Sequence, residues 1–182
     1  MICDIPRPGD IGLRPVPGAI GWLIRVGHWL IGDGFGDFGH AFCVLRDGLI
    51  LEQCLKGARI QPLAKYEPFP GVYVSPAGLS DEQRAAICDV ATRYVGTPYS
   101  FRYYAGLAAR RLHLIFPGSR RPETPAGRMV CSQLVDRIYL DAGVQLFADG
   151  RWFGHATPMA LWRLLGEDRP ARPQARTGLA VG

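Results

Sequence analysis

Of the five cysteines in the chain, Cys131 has the surroundings best suited to chemistry. It follows the apolar pair Met129-Val130 and opens a stretch whose apolar positions, Leu134, Val135, Ile138, Tyr139 and Ala142, recur at helical spacing until Gly143. A thiol at the start of a helix faces free backbone N–H groups and the positive end of the helix dipole, and both favour the thiolate. The same N–H groups can hold an oxyanion once the thiolate attacks a carbonyl. Burial as a small apolar side chain is the commoner fate of a free cysteine, so the chemical reading requires a base within reach.

Four histidines could supply it. His28 lies inside an apolar stretch and reads as a satisfied core or groove residue. His113 belongs to a basic stretch and reads as solvated, and His155 sits in a turn, FGHATP, before the last helix. His40 follows the glycine-rich run GDGFGDFG and opens a strand, a placement that holds an imidazole firmly at an open cleft. A third residue must orient that ring. In a hairpin closed by a two-residue Asp47-Gly48 loop, His40 would share a face with Gln53. A three-residue loop with a glycine bulge, for which Asp47-Gly48-Leu49 is suitable, puts His40 on one face with Glu52. Glu52 and Gln53 both stand as orienting candidates.

These side chains need a frame. PGDIGL (8–13) predicts a turn entering a short strand, and AIGWLIRVGHWLIG (19–32) a buried helix with Ile20, Leu23, Val26, Gly27 and Leu30 on its repeat. Residues 40–55 alternate around Asp47-Gly48 as a hairpin, and 58–63 and 71–76 read as two further strands. Ser80 and Gln83 form a capping box for a helix with Ala86, Ile87, Val90, Ala91 and Tyr94 inward. Residues 102–115 read as a basic amphipathic helix, and Thr157-Pro158 opens the last helix. The order predicts an α+β class, in one domain over 1–166 with a mobile loop at 117–128 and a disordered tail at 167–182.

Composition narrows the classes. With 48% hydrophobic and 20% charged residues the chain reads as globular. Nineteen arginines and two lysines, Lys56 and Lys65, give a net charge of +5. The arginines are scattered and no aromatic stripe accompanies them, so the excess is read as codon bias and nucleic acid is not expected as a partner. An odd number of cysteines without CxxC spacing speaks against a disulfide framework or a structural zinc, and no metal or cofactor is expected. MICDIPRPGD lacks the basic and apolar regions of a signal peptide. The expectation is a cytoplasmic protein, or one brought to a cell wall by a phage particle or lysis.

Across residues 9–162 the phrases PGDIGL, GHAFCV, ILEQC, GARIQPL, GTPYSF, MVCSQLVDRIY and TPMALW follow one another in an order that resembles the circularly permuted branch of the NlpC-type papain-like cysteine hydrolases, the YiiX/YaeF group. The resemblance implies a papain-like fold, with a central antiparallel sheet or small barrel packed against helices. It implies Cys131 as nucleophile, His40 as base and Glu52 as the polar third residue twelve positions on. It also implies Tyr99 as a tyrosine lining the cleft, with Gln53 and Ser132 as substrate-side neighbours. The implied activity is cleavage of an amide bond through an acyl-enzyme, in a peptide of cell-wall type. Lipid acyltransferases among the relatives keep an acylated small molecule or lipid open as substrate, and so a membrane surface as partner. The basic 102–115 stretch, Trp152, Phe153 and Trp162 suit that alternative. A non-catalytic module with a retained cleft is the rival from another class. The chain departs from the pattern by about thirty residues between Tyr99 and Cys131, and by a cysteine at position 43.

Overall fold

The computed structural model describes residues 2–3, 5–30, 32–100, 127–148 and 156–166. Within them lie β1 (Ile2–Cys3), β2 (Ile11–Pro15), α1 (Gly18–Leu30), β3 (Phe38–Val44), β4 (Leu49–Cys54), β5 (Gly57–Pro62), a 3-10 turn (Leu63–Tyr66) and β6 (Val72–Val74). Three further helices follow: α2 (Asp81–Thr92), α3 (Cys131–Asp141) and α4 (Pro158–Leu165). The class is α+β. The six strands form one sheet in the order β1-β6-β2-β3-β4-β5, and every neighbouring pair is antiparallel. The segments 102–115 and 167–182 and most of the loop at 117–128 lie outside the described residues, as do His113, His155, Trp152 and Phe153.

The sheet alternates as a half-covered antiparallel sheet must. One face sends Ile11, Leu13, Ala41, Cys43, Leu51 and Val74 into the main core. Ile87 and Ala91 of α2, Leu134, Val135 and Ile138 of α3, and Leu161 of α4 fill it from the helical side. Cys43 is fully buried there, so its departure from the family pattern is a matter of packing. The other face carries Phe42, Val44 and Ile50 under Leu63, Tyr66 and Tyr73.

PGDIGL has a structural task. Asp10 is completely buried and meets Arg84 of α2 at 2.7 Å, while the Arg7 backbone N–H donates to its other oxygen at 2.8 Å. Arg84 also donates to the Pro8 carbonyl and to Ser75 Oγ, so the buried pair is supported by further hydrogen bonds, although Arg84 Nε has none among the described residues. This partnership places Arg84 on the inward face of α2, where apolar periodicity did not put it. The Ser80–Gln83 capping box forms as expected.

α1 differs from the expectation of a buried helix. Among its residues with described burial, Gly21 and His28 are buried, whereas Ile20, Trp22, Leu23 and Trp29 are all more than half exposed. Gly21, Arg25 and His28 fall on one strip of the helix, and the covered residues lie on that strip, so the apolar repeat marked the exposed side. The helix meets β3 where Ile24 comes against Gly39. His28 differs too: it is buried, but neither ring nitrogen has a hydrogen-bond partner among the described residues. Burial lowers its pKa from 6.5 to about 4, against the upward pull of Asp33. Between those values the unfolded chain binds a proton that the folded chain refuses, so acidification through this window is destabilising. The effect is about 3 kcal/mol at most. Urea denaturation at about pH 7 and about pH 4.5 should show that His28→Leu removes most of this loss. An unchanged acid dependence in the variant would assign the loss elsewhere.

Candidate active site

α3 begins without a side-chain cap. Its N-cap, Val130, is extended and apolar, and the Val130 N–H is taken by the Gln133 side chain at 3.1 Å. No cap side chain therefore competes with the next residue for the free N–H groups of the first turn. That next residue is Cys131, only 3% exposed.

His40 comes to it from β3. The imidazole shares the cleft with the Cys131 thiol, with which it interacts electrostatically, and through Nε2 it meets Glu52 Oε2 at 3.3 Å. With Nε2 engaged by Glu52, Nδ1 is left to serve the thiol. Burial would keep the Cys131 thiol protonated, but the hydrogen bond and charge of His40 and the backbone N–H groups of Ala41 and Ser132 outweigh it, and the thiol pKa falls. Burial likewise opposes a charge on His40, and Cys131 and Glu52 overcome it to lift the imidazole pKa to about 9. Each group thus favours the ionised form of the other.

The hairpin register decides which residue orients His40. Leu45 N donates to the Leu49 carbonyl, Phe42 pairs with Glu52, and the loop is Arg46-Asp47-Gly48, three residues long. The loop thus starts one residue earlier than Asp47-Gly48-Leu49, which shifts the pairing by two places and leaves Glu52 on the same face. Asp47 and Gly48 both adopt positive φ, 58° and 67°. His40 and Glu52 then share a face. Gln53 points elsewhere, donating to the Thr97 carbonyl at 2.9 Å, so it does not orient the ring.

Glu52 is 1% exposed and held from three directions. Tyr66 donates to Oε2 at 2.5 Å, Lys65 donates to Oε1, and His40 shares Oε2. Burial opposes its charge, yet the hydrogen bonds from His40, Lys65 and Tyr66 keep its carboxyl well below the usual range. Tyr66 stacks on Phe42 with centroids 4.8 Å apart, which fixes the phenol over the carboxylate. Lys65 and Tyr66, both in the 3-10 turn, were not among the candidates. The one available signal was that Lys65 is one of two lysines in an arginine-rich chain.

The other candidates separate. Tyr99 lines the cleft with Cys131, and burial and that cysteine raise the pKa of its hydroxyl. Tyr99 bridges in parallel to Met129, with Ser100 N donating to the Met129 carbonyl at 3.1 Å and Met129 N to the Pro98 carbonyl at 3.1 Å. The thirty-residue excursion therefore leaves and rejoins the fold at one place, beside Cys131. The Ser132 hydroxyl turns away to donate to the Ala156 carbonyl at 2.7 Å, and only its backbone N–H serves the cysteine. A cleft of about 540 Å³ holds His40, Glu52, Gln53, Tyr99 and Cys131, with Val16, Pro17 and Ile24 as an apolar wall. That volume suits a small-molecule or peptide fragment.

None of the described helices is long and apolar enough to cross a membrane. Compared with models of known protein families and with curated proteins, the chain matches none.

Proposed function

We propose that the chain is a cysteine hydrolase of the circularly permuted NlpC-type, papain-like group, cleaving an amide through a Cys131–His40–Glu52 triad. The observation that carries the reading is the meeting of Cys131, His40 and Glu52 in one cleft, with His40 Nε2 3.3 Å from Glu52 Oε2 and the thiol at an uncapped helix start. The Cys131 thiolate attacks the carbonyl carbon, and the Cys131 backbone N–H helps to hold the oxyanion. The His40 imidazolium gives its proton to the leaving amine. Water, deprotonated by the now neutral His40, then releases the acyl group and restores the thiol-imidazole pair. A peptide of cell-wall type is the leading substrate class, and the cytoplasm or delivery to a cell wall the setting. An ester- or lipid-directed version of the same chemistry has one observation in its favour: the apolar wall Val16, Pro17, Ile24 adjoins the exposed apolar side of α1.

Thiol reactivity tests the reading against a non-catalytic cleft. At about pH 7 Cys131 should react with iodoacetamide at least ~10-fold faster than Cys54, whose thiol burial pushes up. Cys43 and Cys88, buried and likewise shifted up, should be slower still. Peptide mass spectrometry reads each site. Equal rates at Cys131 and Cys54 would rule out an activated nucleophile.

A further inference from the structure

The cleft carries more positive charge than its carboxylate balances. Among the described residues, its charged lining residues besides the catalytic cysteine and histidine are Arg14, Lys56, Arg59, Lys65 and one acid, Glu52. Lys65 is paired with Glu52. Among the described residues, Arg14, Lys56 and Arg59 have no carboxylate partner.

Arg14 is the informative one. It is 6% exposed and donates only to neutral oxygens, the Phe69 carbonyl and the Tyr73 hydroxyl at 2.6 Å. Its guanidinium carbon lies 5.7 Å from the Tyr66 ring centre and 5.2 Å from that of Tyr73, and its Nε is buried without a hydrogen-bond partner. Gly71 leaves the space it passes through, since a Cβ there would lie 2.1 Å from Arg14 Cδ. The two neutral acceptors require a donor, not a charge. A buried cation without a counter-anion is costly, and one beside a cleft can recover that cost from a ligand. Arg14 pairs across the strands with His40, and Arg59 with Glu52, so both stand on the catalytic face of the sheet. Lys56 and Lys65, the only lysines in the chain, both line this cleft.

We infer that the cleft takes an acyl donor carrying an anionic group, a carboxylate or a phosphate, close to the scissile carbonyl. That group supplies the counter-charge missing at Arg14, and Lys56 and Arg59 draw it in. The inference rests on the cysteine-hydrolase reading and names the substrate class for the same site.

Two thiol reagents of nearly equal size, anionic iodoacetate and neutral iodoacetamide, test it. Their rates at Cys131 are read by peptide mass spectrometry, each divided by its rate with glutathione. The ratio of the two should favour iodoacetate in the wild type. In Lys56→Ala/Arg59→Ala it should fall about 3- to 10-fold at low salt. Arg14→Met should lower it as well. Because that change touches a buried residue, circular dichroism checks its fold, and the surface double variant stands on its own. Protection of Cys131 from iodoacetamide by succinate marks a carboxylate ligand, and protection by inorganic phosphate a phosphate. A ratio unchanged in both variants, or no protection by either anion, overturns the inference. Slow reaction of wild-type Cys131 with both reagents would instead overturn the hydrolase reading beneath it.

Discussion

Cys131→Ala is expected to reduce hydrolysis of a p-nitrophenyl ester to the background rate, a loss on the order of 10⁴-fold or more. The side chain is small and the start of α3 is fixed by neighbours, Gln133 on the Val130 N–H and Ser132 on Ala156, so the fold should persist. Cys131→Ser should be nearly as inactive, because a serine hydroxyl does not ionise where a thiol does. The wild-type pH profile carries a second check. His40 has its pKa raised to about 9, so its charged form is present below that value and is lost above it. With an anilide substrate, whose leaving amine must take a proton, leaving-group protonation should therefore fail on an alkaline limb near pH 9. Retention of esterase activity by Cys131→Ala would remove the thiol from the mechanism.

The second large effect is expected at Glu52. Glu52→Gln should lower kcat by about 10²- to 10⁴-fold, as when a catalytic imidazole loses the anion that orients it. The loss should come with a signature that general destabilisation does not give. Without the carboxylate, one of the groups raising the His40 pKa is gone, so the alkaline limb should move to lower pH. Tyr66→Phe should move it in the same direction by less, since it removes one of three donors holding Glu52. Gln53→Leu should leave the limb in place, because that amide serves the Thr97 carbonyl. A limb unmoved in Glu52→Gln would show that Glu52 does not act through His40.

The parts of this site legible in the sequence were those set by local rules. A cysteine at the start of an apolar-periodic stretch, and a histidine and a glutamate twelve apart around Asp47-Gly48, are short-range patterns with mechanical consequences. The choice between Glu52 and Gln53 stayed open because it depends on where the loop begins, a matter of one residue. Lys65, Tyr66 and Arg14 were not legible. They reach the site through a 3-10 turn and a neighbouring strand, so the contacts are fixed by tertiary packing and have no period to detect. α1 erred for the converse reason. Its apolar repeat lies on the exposed side, and the side turned inward is the one that carries Gly21 and His28.

The Arg46-Asp47-Gly48 turn has a consequence for how this protein can change over generations. Closing the hairpin over Asp47 and Gly48 alone would change no residue of the sequence. It would, however, advance every later residue of β4 by one place against β3, and a neutral amide would stand where the carboxylate stood. The length of an exposed loop thus encodes the chemical identity of a buried group. A survey of related chains could find that length held constant while the exposed side chains of the loop drift.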